Sequence, residues 1–129
     1  MDSSNFIKQM PVSVEAERAL LGSIIIKPEC FDIIGGMVKT DDFYLVEHQH
    51  IFDALSAMYM QSKVIDPITL VNVLIEEGGK DKESSVQYIT LIADSVPSVA
   101  NAREYVKIVK EKSILRRLID ACDDINRSC

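Results

Sequence analysis

Apolar side chains recur every three or four residues along most of this chain, and this spacing is typical of amphipathic helices. The first such segment covers about Val14–Ile26. Ser13 stands where a capping residue is expected, and Pro28 ends the segment. Its predicted inward positions are Ala16, Leu20, Leu21, Ile24 and Ile25.

The same spacing predicts a short helix over about residues 30–38 and a longer one over about 47–61. Asp66-Pro67 indicates the start of a further helix, which Gly78-Gly79 ends. Ser84 to Gln87 fits a capping box that opens the next helix. No segment shows sustained alternation with period two, so we expect an all-α fold.

The last predicted helix runs from Ser98 to about Ile125 and would be roughly 40 Å long. Only four residues follow Ile125. Because an exposed apolar stripe needs a cover, we expect that cover from another chain or from a part of the protein outside this sequence. The stripe consists of Tyr105, Ile108, Val109, Leu115, Leu118, Ile119, Cys122 and Ile125.

These segments predict one domain with three parts. Residues 1–12 form an N-terminal arm that we expect to be flexible, and residues 13–97 form a compact bundle of about five helices. Residues 98–129 form a long, protruding C-terminal helix. At 129 residues the chain is long enough to bury a core without disulfides.

The charge is distributed unevenly. The net charge is −6, and residues 1–102 hold seven basic against fifteen acidic side chains. Residues 103–117 hold six basic against two acidic ones, so the terminal helix alone carries a basic band. An acidic bundle repels nucleic acid. A solvated helix face also explains the basic band.

Signatures of catalysis or cofactor binding are missing from the sequence. Neither a phosphate-binding loop nor a G-x-G-x-x-G motif occurs. His48 and His50 point about 200° apart on a helix and cannot share a metal, and we expect His48 to be a packed or capping histidine rather than a catalytic base. Cys30, Cys122 and Cys129 show no paired spacing, and residues 1–5 do not begin a signal peptide. We therefore expect a cytoplasmic chain with no catalytic, cofactor or metal site.

Several segments taken together resemble the N-terminal domain of bacterial replicative DNA helicases, the DnaB family. The resemblance covers Pro11 to about Asp120. Its pieces are Pro11–Ser23, Asp42-Phe43-Tyr44, His48–Phe52, Ile65–Leu70, Tyr88–Leu91, Pro97–Asn101 and Tyr105–Val109. Within them, Gly22 suggests a close approach between two helices, and Phe43 suggests an aromatic ring inserted into the bundle.

The resemblance implies that six subunits form a ring in which N-terminal domains pair as a collar. It also implies a motor that uses ATP and Mg²⁺ to unwind duplex DNA in the 5′–3′ direction. That motor is absent from this sequence, so we expect a non-catalytic fragment of a longer protein.

The implied partners are a second copy of the chain, primase or a helicase loader, and single-stranded DNA in the ring. The terminal helix would be the first half of a dimerising hairpin. Its expected interface residues are Tyr105, Ile108, Val109, Leu115, Leu118, Ile119 and Cys122. The expected docking residues on its exposed, basic side are Lys107, Lys110, Arg116 and Arg117. Two alternatives remain open: a free-standing regulator of helicase or primase, and an all-α nucleic-acid-binding domain.

Overall fold

A computed structural model describes the backbone of residues 10–128 and the side chains of residues 10–125. Residues 1–9 of the predicted arm, and Cys129, lie outside the described residues. The described part is all-α, as predicted. Its helices are α1 (Val14–Ile26), α2 (Phe31–Ile34), α3 (Val46–Met60), α4 (Pro67–Gly78), α5 (Lys82–Asp94) and α6 (Ala102–Ser128), with 3₁₀ turns at Pro28–Cys30, Thr40–Asp42 and Val99–Asn101.

Helix α1 forms the centre of the bundle and packs against α3, α5 and α6. The Ser13 hydroxyl accepts a hydrogen bond from the Ala16 N–H at 3.2 Å, so the predicted cap is confirmed. All five predicted inward positions of α1 are buried. The core continues with Phe43, Leu55, Leu70, Ile89 and Ile92 from the other elements.

Gly22 lies where α1 meets the end of α5. A Cβ atom at this position would lie 2.4 Å from Val96 Cγ2 and 2.6 Å from the Ile92 carbonyl oxygen. Side chains cannot approach that closely, so the helices meet at a spacing that only glycine permits. The predicted close approach is confirmed.

Helix α4 begins and ends at the predicted signals. The Thr69 N–H donates to Asp66 Oδ1 at 2.9 Å, and the Asp66 N–H donates to Thr69 Oγ1 at 3.0 Å. Gly79 ends the helix with a φ of 63°, in the left-handed region that favours glycine.

Helix α5 starts earlier than the sequence suggested. Asp81, not Ser84, is its cap, and the Asp81 carboxylate accepts from the Ser84 N–H at 3.0 Å and from the Ser84 hydroxyl at 2.9 Å. A carboxylate caps as well as a serine and also favours the positive end of the helix. These hydrogen bonds lower the pKa of Asp81.

Two other predicted boundaries were wrong. The helix expected over residues 30–38 shortens to a 3₁₀ turn and the four residues of α2, because the Phe31 ring occupies the space beside Gly35. The terminal α-helix begins at Ala102 rather than Ser98, because residues 99–101 form a 3₁₀ turn.

Helix α6 packs on the bundle over its first half only. Its buried side chains are Ala102, Val106, Val109, Ser113 and Arg116. No side chain between Arg117 and Ile125 is buried. The helix therefore protrudes from the bundle beyond Arg116, as the sequence predicted.

Candidate interaction surface on the terminal helix

The outward face of α6 carries a row of exposed apolar side chains, which we call the outer stripe. At about 100° per residue these positions point away from the buried face of the helix. Leu118 is 57% exposed and Ile125 is 64% exposed. The outer stripe consists of Ile108, Ile114, Leu115, Leu118, Cys122 and Ile125.

The outer stripe has the spacing of a helix-pairing seam. Ile108, Leu115 and Cys122 are seven residues apart, as are Leu118 and Ile125. From Leu115 to Ile125 the steps are three, four and three residues, which keeps a seam facing a partner helix, whereas the step from Ile108 to Leu115 passes Glu111. Such a surface suits a second helix lying along α6.

Three predicted interface residues lie elsewhere on the helix. Val109 is 2% exposed and packs in the bundle core, so its place in an exposed stripe is corrected. Tyr105 is half-buried, and its hydroxyl donates to the Ser98 carbonyl at 3.1 Å. Ile119 is half-buried beside the outer stripe.

The opposite flank of α6 surrounds a single buried carboxylate. Asp42 is fully buried and accepts from the Lys39 N–H at 2.8 Å and from the Ser113 hydroxyl at 2.7 Å. Lys110 Nζ donates to it at 2.8 Å and Arg117 Nη2 at 2.9 Å. We call Asp42 with Lys110, Ser113, Arg116 and Arg117 the Asp42 cluster.

Arg116 extends the Asp42 cluster to the chain segment before α1. Its guanidinium donates to the Asp42 carbonyl at 2.7 Å and to the Pro11 carbonyl at 2.9 Å. It also lies over the Tyr44 ring, 5.4 Å from the ring centre, where a cation is attracted to the π face. One side chain thus joins three segments of the chain.

The electrostatics of the cluster favour the ionised form of Asp42. Burial by itself would raise the pKa of this carboxyl. Hydrogen bonds from Lys110, the Lys39 backbone and Ser113 outweigh that effect and hold the pKa below its ordinary value. The sequence suggested only a solvated or helix-end role for Asp42 and gave no sign of its burial.

The four predicted docking residues therefore do not form one exposed basic face. Lys107 is exposed on the outward side. The side chains of Lys110 and Arg117 are 34% and 52% exposed while they bind Asp42. Arg116 is buried, which corrects its place on an exposed side.

A second buried polar group joins α1, α3 and α5. The Glu17 carboxylate accepts from the Tyr44 N–H at 2.8 Å and lies 2.7 Å from His48 Nδ1, and His48 Nε2 lies 2.6 Å from the Tyr88 hydroxyl. His48 is fully buried, so its predicted role as a packed histidine is confirmed. Phe43 is also buried as predicted, beside Phe52.

Other kinds of site find no support within the described part of the chain. Residues 10–128 contain no group of three His, Cys, Asp or Glu side chains placed to hold a metal ion. None of the helices described there combines the length and the apolar character needed to cross a membrane. The feature that the structure does show is the exposed apolar surface of the outer stripe.

The sequence profile of the DnaB-like helicase N-terminal domain matches residues 9–111, which is most of the chain. This chain belongs to the DnaB-like helicase N-terminal domain family. The match spans the bundle and α6 as far as Glu111.

Similar sequences in this family include bacterial replicative helicases. The chain is 38% identical over 119 residues to the replicative DNA helicase DnaB of Pasteurella multocida, covering 92% of this chain and 26% of that protein. It is 38% identical over 109 residues to the replicative DNA helicase DnaC of Bacillus subtilis, covering 84% and 24%. The chain therefore spans about a quarter of the length of these relatives.

Solved DnaB-like helicase N-terminal domains share the fold. The domain of Mycobacterium tuberculosis DnaB superposes with a TM-score of 0.87 at 28% identity, covering 92% of this chain and 86% of that one. The domain of Helicobacter pylori DnaB, described with its interactions with primase, superposes with a TM-score of 0.75 at 20% identity, covering 99% and 98%.

Proposed function

We propose that this chain is the assembly and docking domain of a replicative DNA helicase. In this role it pairs with a second copy through α6 and provides a surface for primase. The observation that carries the proposal is the outer stripe: apolar, exposed, and spaced for pairing with a helix. The family of the chain supports the same role.

The remaining functions belong to the larger protein that this proposal implies. The relatives are about four times as long, and the sequence here has no phosphate-binding loop. ATP hydrolysis with Mg²⁺ and 5′–3′ unwinding would reside in a motor outside this sequence. Pairing through α6 would contribute to the collar of a six-membered ring, in which a loader and single-stranded DNA are further partners.

Self-association is tested by placing charge on the outer stripe. We expect Leu115→Glu/Leu118→Glu to give a folded monomer, because burying two carboxylates in an apolar seam is costly. Sedimentation velocity over a concentration series measures the association, and circular dichroism checks the helix content.

Lys63→Glu is the matched control, since it also lowers the net charge by two at an exposed position away from α6. It should associate like the unmodified chain. A compact monomer from the unmodified chain at high concentration would contradict pairing through α6.

Primase docking is proposed for the basic side of α6, with apolar neighbours supplying affinity and charge raising the association rate. The structure makes Lys107 the cleanest test. Charge reversal at Arg116 or Arg117 would also disrupt the Asp42 cluster, whereas Lys107 is exposed and can be changed without that damage.

We expect Lys107→Glu to weaken binding of the primase from the same organism severalfold, mainly through a slower association rate in surface plasmon resonance. Lys63→Glu, an exposed charge reversal in the bundle, is the control. Equal binding by both variants would move the docking surface away from Lys107 and the outward side of α6.

Direct DNA binding by this chain is a weaker candidate. Lys110 and Arg117 of the basic band are paired with Asp42, and the bundle is acidic. Binding to phosphates would compete with these contacts and would fall steeply with salt.

A further inference from the structure

The direction in which α6 leaves the bundle is fixed by polar contacts. The last apolar side chain of α6 that is buried in the core is Val109. Over the next two turns, Lys110, Ser113, Arg116 and Arg117 all bond to Asp42, and Arg116 also bonds to Pro11. Beyond Arg116 no side chain through Ile125 is buried.

We propose that the Asp42 cluster is a releasable clasp that sets the angle of the protruding half of α6, with Asp42 as its positioning residue. Hydrogen bonds depend on distance and angle, so three α6 side chains that converge on the Asp42 carboxylate, with Arg116 on its backbone carbonyl, define a direction more sharply than apolar contact does. Asp42 lies in the connection between α2 and α3, so the angle of α6 depends on a loop of the bundle.

The clasp can open without exposing a core. The side chains of Lys110 and Arg117 are already partly in solvent, so they can rotate into water when their hydrogen bonds to the Asp42 carboxylate break. The main cost of opening is that the buried Asp42 carboxylate loses these two donors, whereas separating apolar packing would expose hydrophobic surface. The contacts at Val106 and Val109 hold the base of the helix in either state.

A small change at the cluster becomes a larger one at the tip. The helix continues for twelve residues beyond Arg116, about 18 Å, so a tilt of 10° moves its end by roughly 3 Å. Half of the outer stripe, Leu118, Cys122 and Ile125, lies on this part of α6. Under the proposed function, the clasp would therefore set how two paired chains are oriented.

The experiment measures the angle of α6 in a single chain. Spin labels are placed on Cys122 and on Met60→Cys, an exposed position at the end of α3, with Cys30→Ser and Cys129→Ser removing the other thiols. The background carries Leu115→Glu/Leu118→Glu, so distances by pulsed electron resonance are intramolecular and do not depend on whether the chain pairs.

In this background we expect Asp42→Asn to broaden the distance distribution and to shift it, by about 1.5 Å for a tilt of 10°, because Cys122 lies six residues, about 9 Å, beyond Arg116. Asp41→Asn is the matched control, since this neighbouring carboxylate is exposed and lies 3.8 Å from Arg117. It should leave the distribution unchanged.

Arg117→Gln is the second variant, because its half-exposed side chain can be changed without burying an unpaired charge in the core. We expect it to broaden the distribution as well. A folded Asp42→Asn or Arg117→Gln chain with the parental distribution overturns the proposal. Failure of pairing in the unmodified chain would instead contradict the proposed function and leave this measurement unaffected.

Discussion

At the scale of single residues, the bundle depends on buried polar groups whose partners are distant in sequence. Glu17 is 31 residues from His48, and His48 is 40 residues from Tyr88. Glu17 and His48 are buried, and each binds the other members of the group. Removing one member leaves a buried charge or donor unpaired, which costs more than the bond itself contributes.

The two histidines of α3 provide a matched pair for testing this. We expect His48→Ala to lower the free energy of unfolding by about 3–5 kcal/mol, because Glu17 loses its partner and a cavity opens. His50 is exposed, so His50→Ala should change the free energy of unfolding by less than about 0.5 kcal/mol. Urea denaturation followed by circular dichroism measures both. Equal losses would show that Glu17 and His48 do not depend on each other.

Gly22 and Gly36 form a second pair at this scale. Gly22→Ala should cost about 1–3 kcal/mol, because the new methyl group would collide with the Ile92 backbone and Val96. Nothing lies within 4 Å of a Cβ at Gly36, so Gly36→Ala should be close to neutral. Thermal unfolding tests whether Gly22→Ala is less stable than Gly36→Ala. A Gly22→Ala chain as stable as the unmodified one would contradict the close approach of α1 and α5.

At the scale of elements, the sequence predicted what depends on neighbouring residues and missed what depends on distant ones. The caps at Ser13 and Asp66, and the stop at Gly79, involve side chains within four residues of each other and were predicted correctly. Asp42 reaches Arg117 across 75 residues, and no local pattern distinguishes it from the exposed Asp41. The burial of the Arg116 and Val109 side chains was missed for the same reason.

The contact between the residue 40–42 turn and α6 should make stability depend on pH. The folded-state pKa of Asp42 lies below its ordinary value of about 3.9, so its contribution is fully present above that value. It is lost as the pH falls through the folded-state pKa. The cations facing Asp42 are Lys110, Arg116 and Arg117.

We therefore expect Asp42→Asn to unfold with a shallower dependence on pH below about pH 4 than the unmodified chain. Asp81 also has a lowered pKa and contributes with the same sign, but it is exposed, so Asp81→Asn should change the slope less. Urea unfolding at several pH values gives the slopes. Identical slopes for Asp42→Asn and the unmodified chain would show that Asp42 is not stabilised as an anion.

At the scale of the whole molecule, the two flanks of α6 separate two kinds of interaction. The buried flank holds the helix on the bundle through Val106, Val109 and the Asp42 cluster. The opposite side presents the outer stripe to a partner. Because the polar contacts are directed inward, pairing by way of the outer stripe would be mainly apolar, and charge would contribute little to it.

Because apolar and charged contacts lie on different flanks of α6, the salt dependence of the dissociation constant indicates which flank pairs. Debye screening shortens from about 10 Å at 0.1 M to about 3 Å at 1 M ionic strength, so an interface built on the basic band would weaken over that range. Pairing through the outer stripe should keep its dissociation constant or tighten, because screening reduces repulsion between two chains that each carry a net charge of −6. Sedimentation equilibrium in sodium chloride at both concentrations measures this, with Leu115→Glu/Leu118→Glu as the non-pairing reference. Dissociation of the unmodified chain at 1 M salt would place the contact on the charged flank instead of the outer stripe.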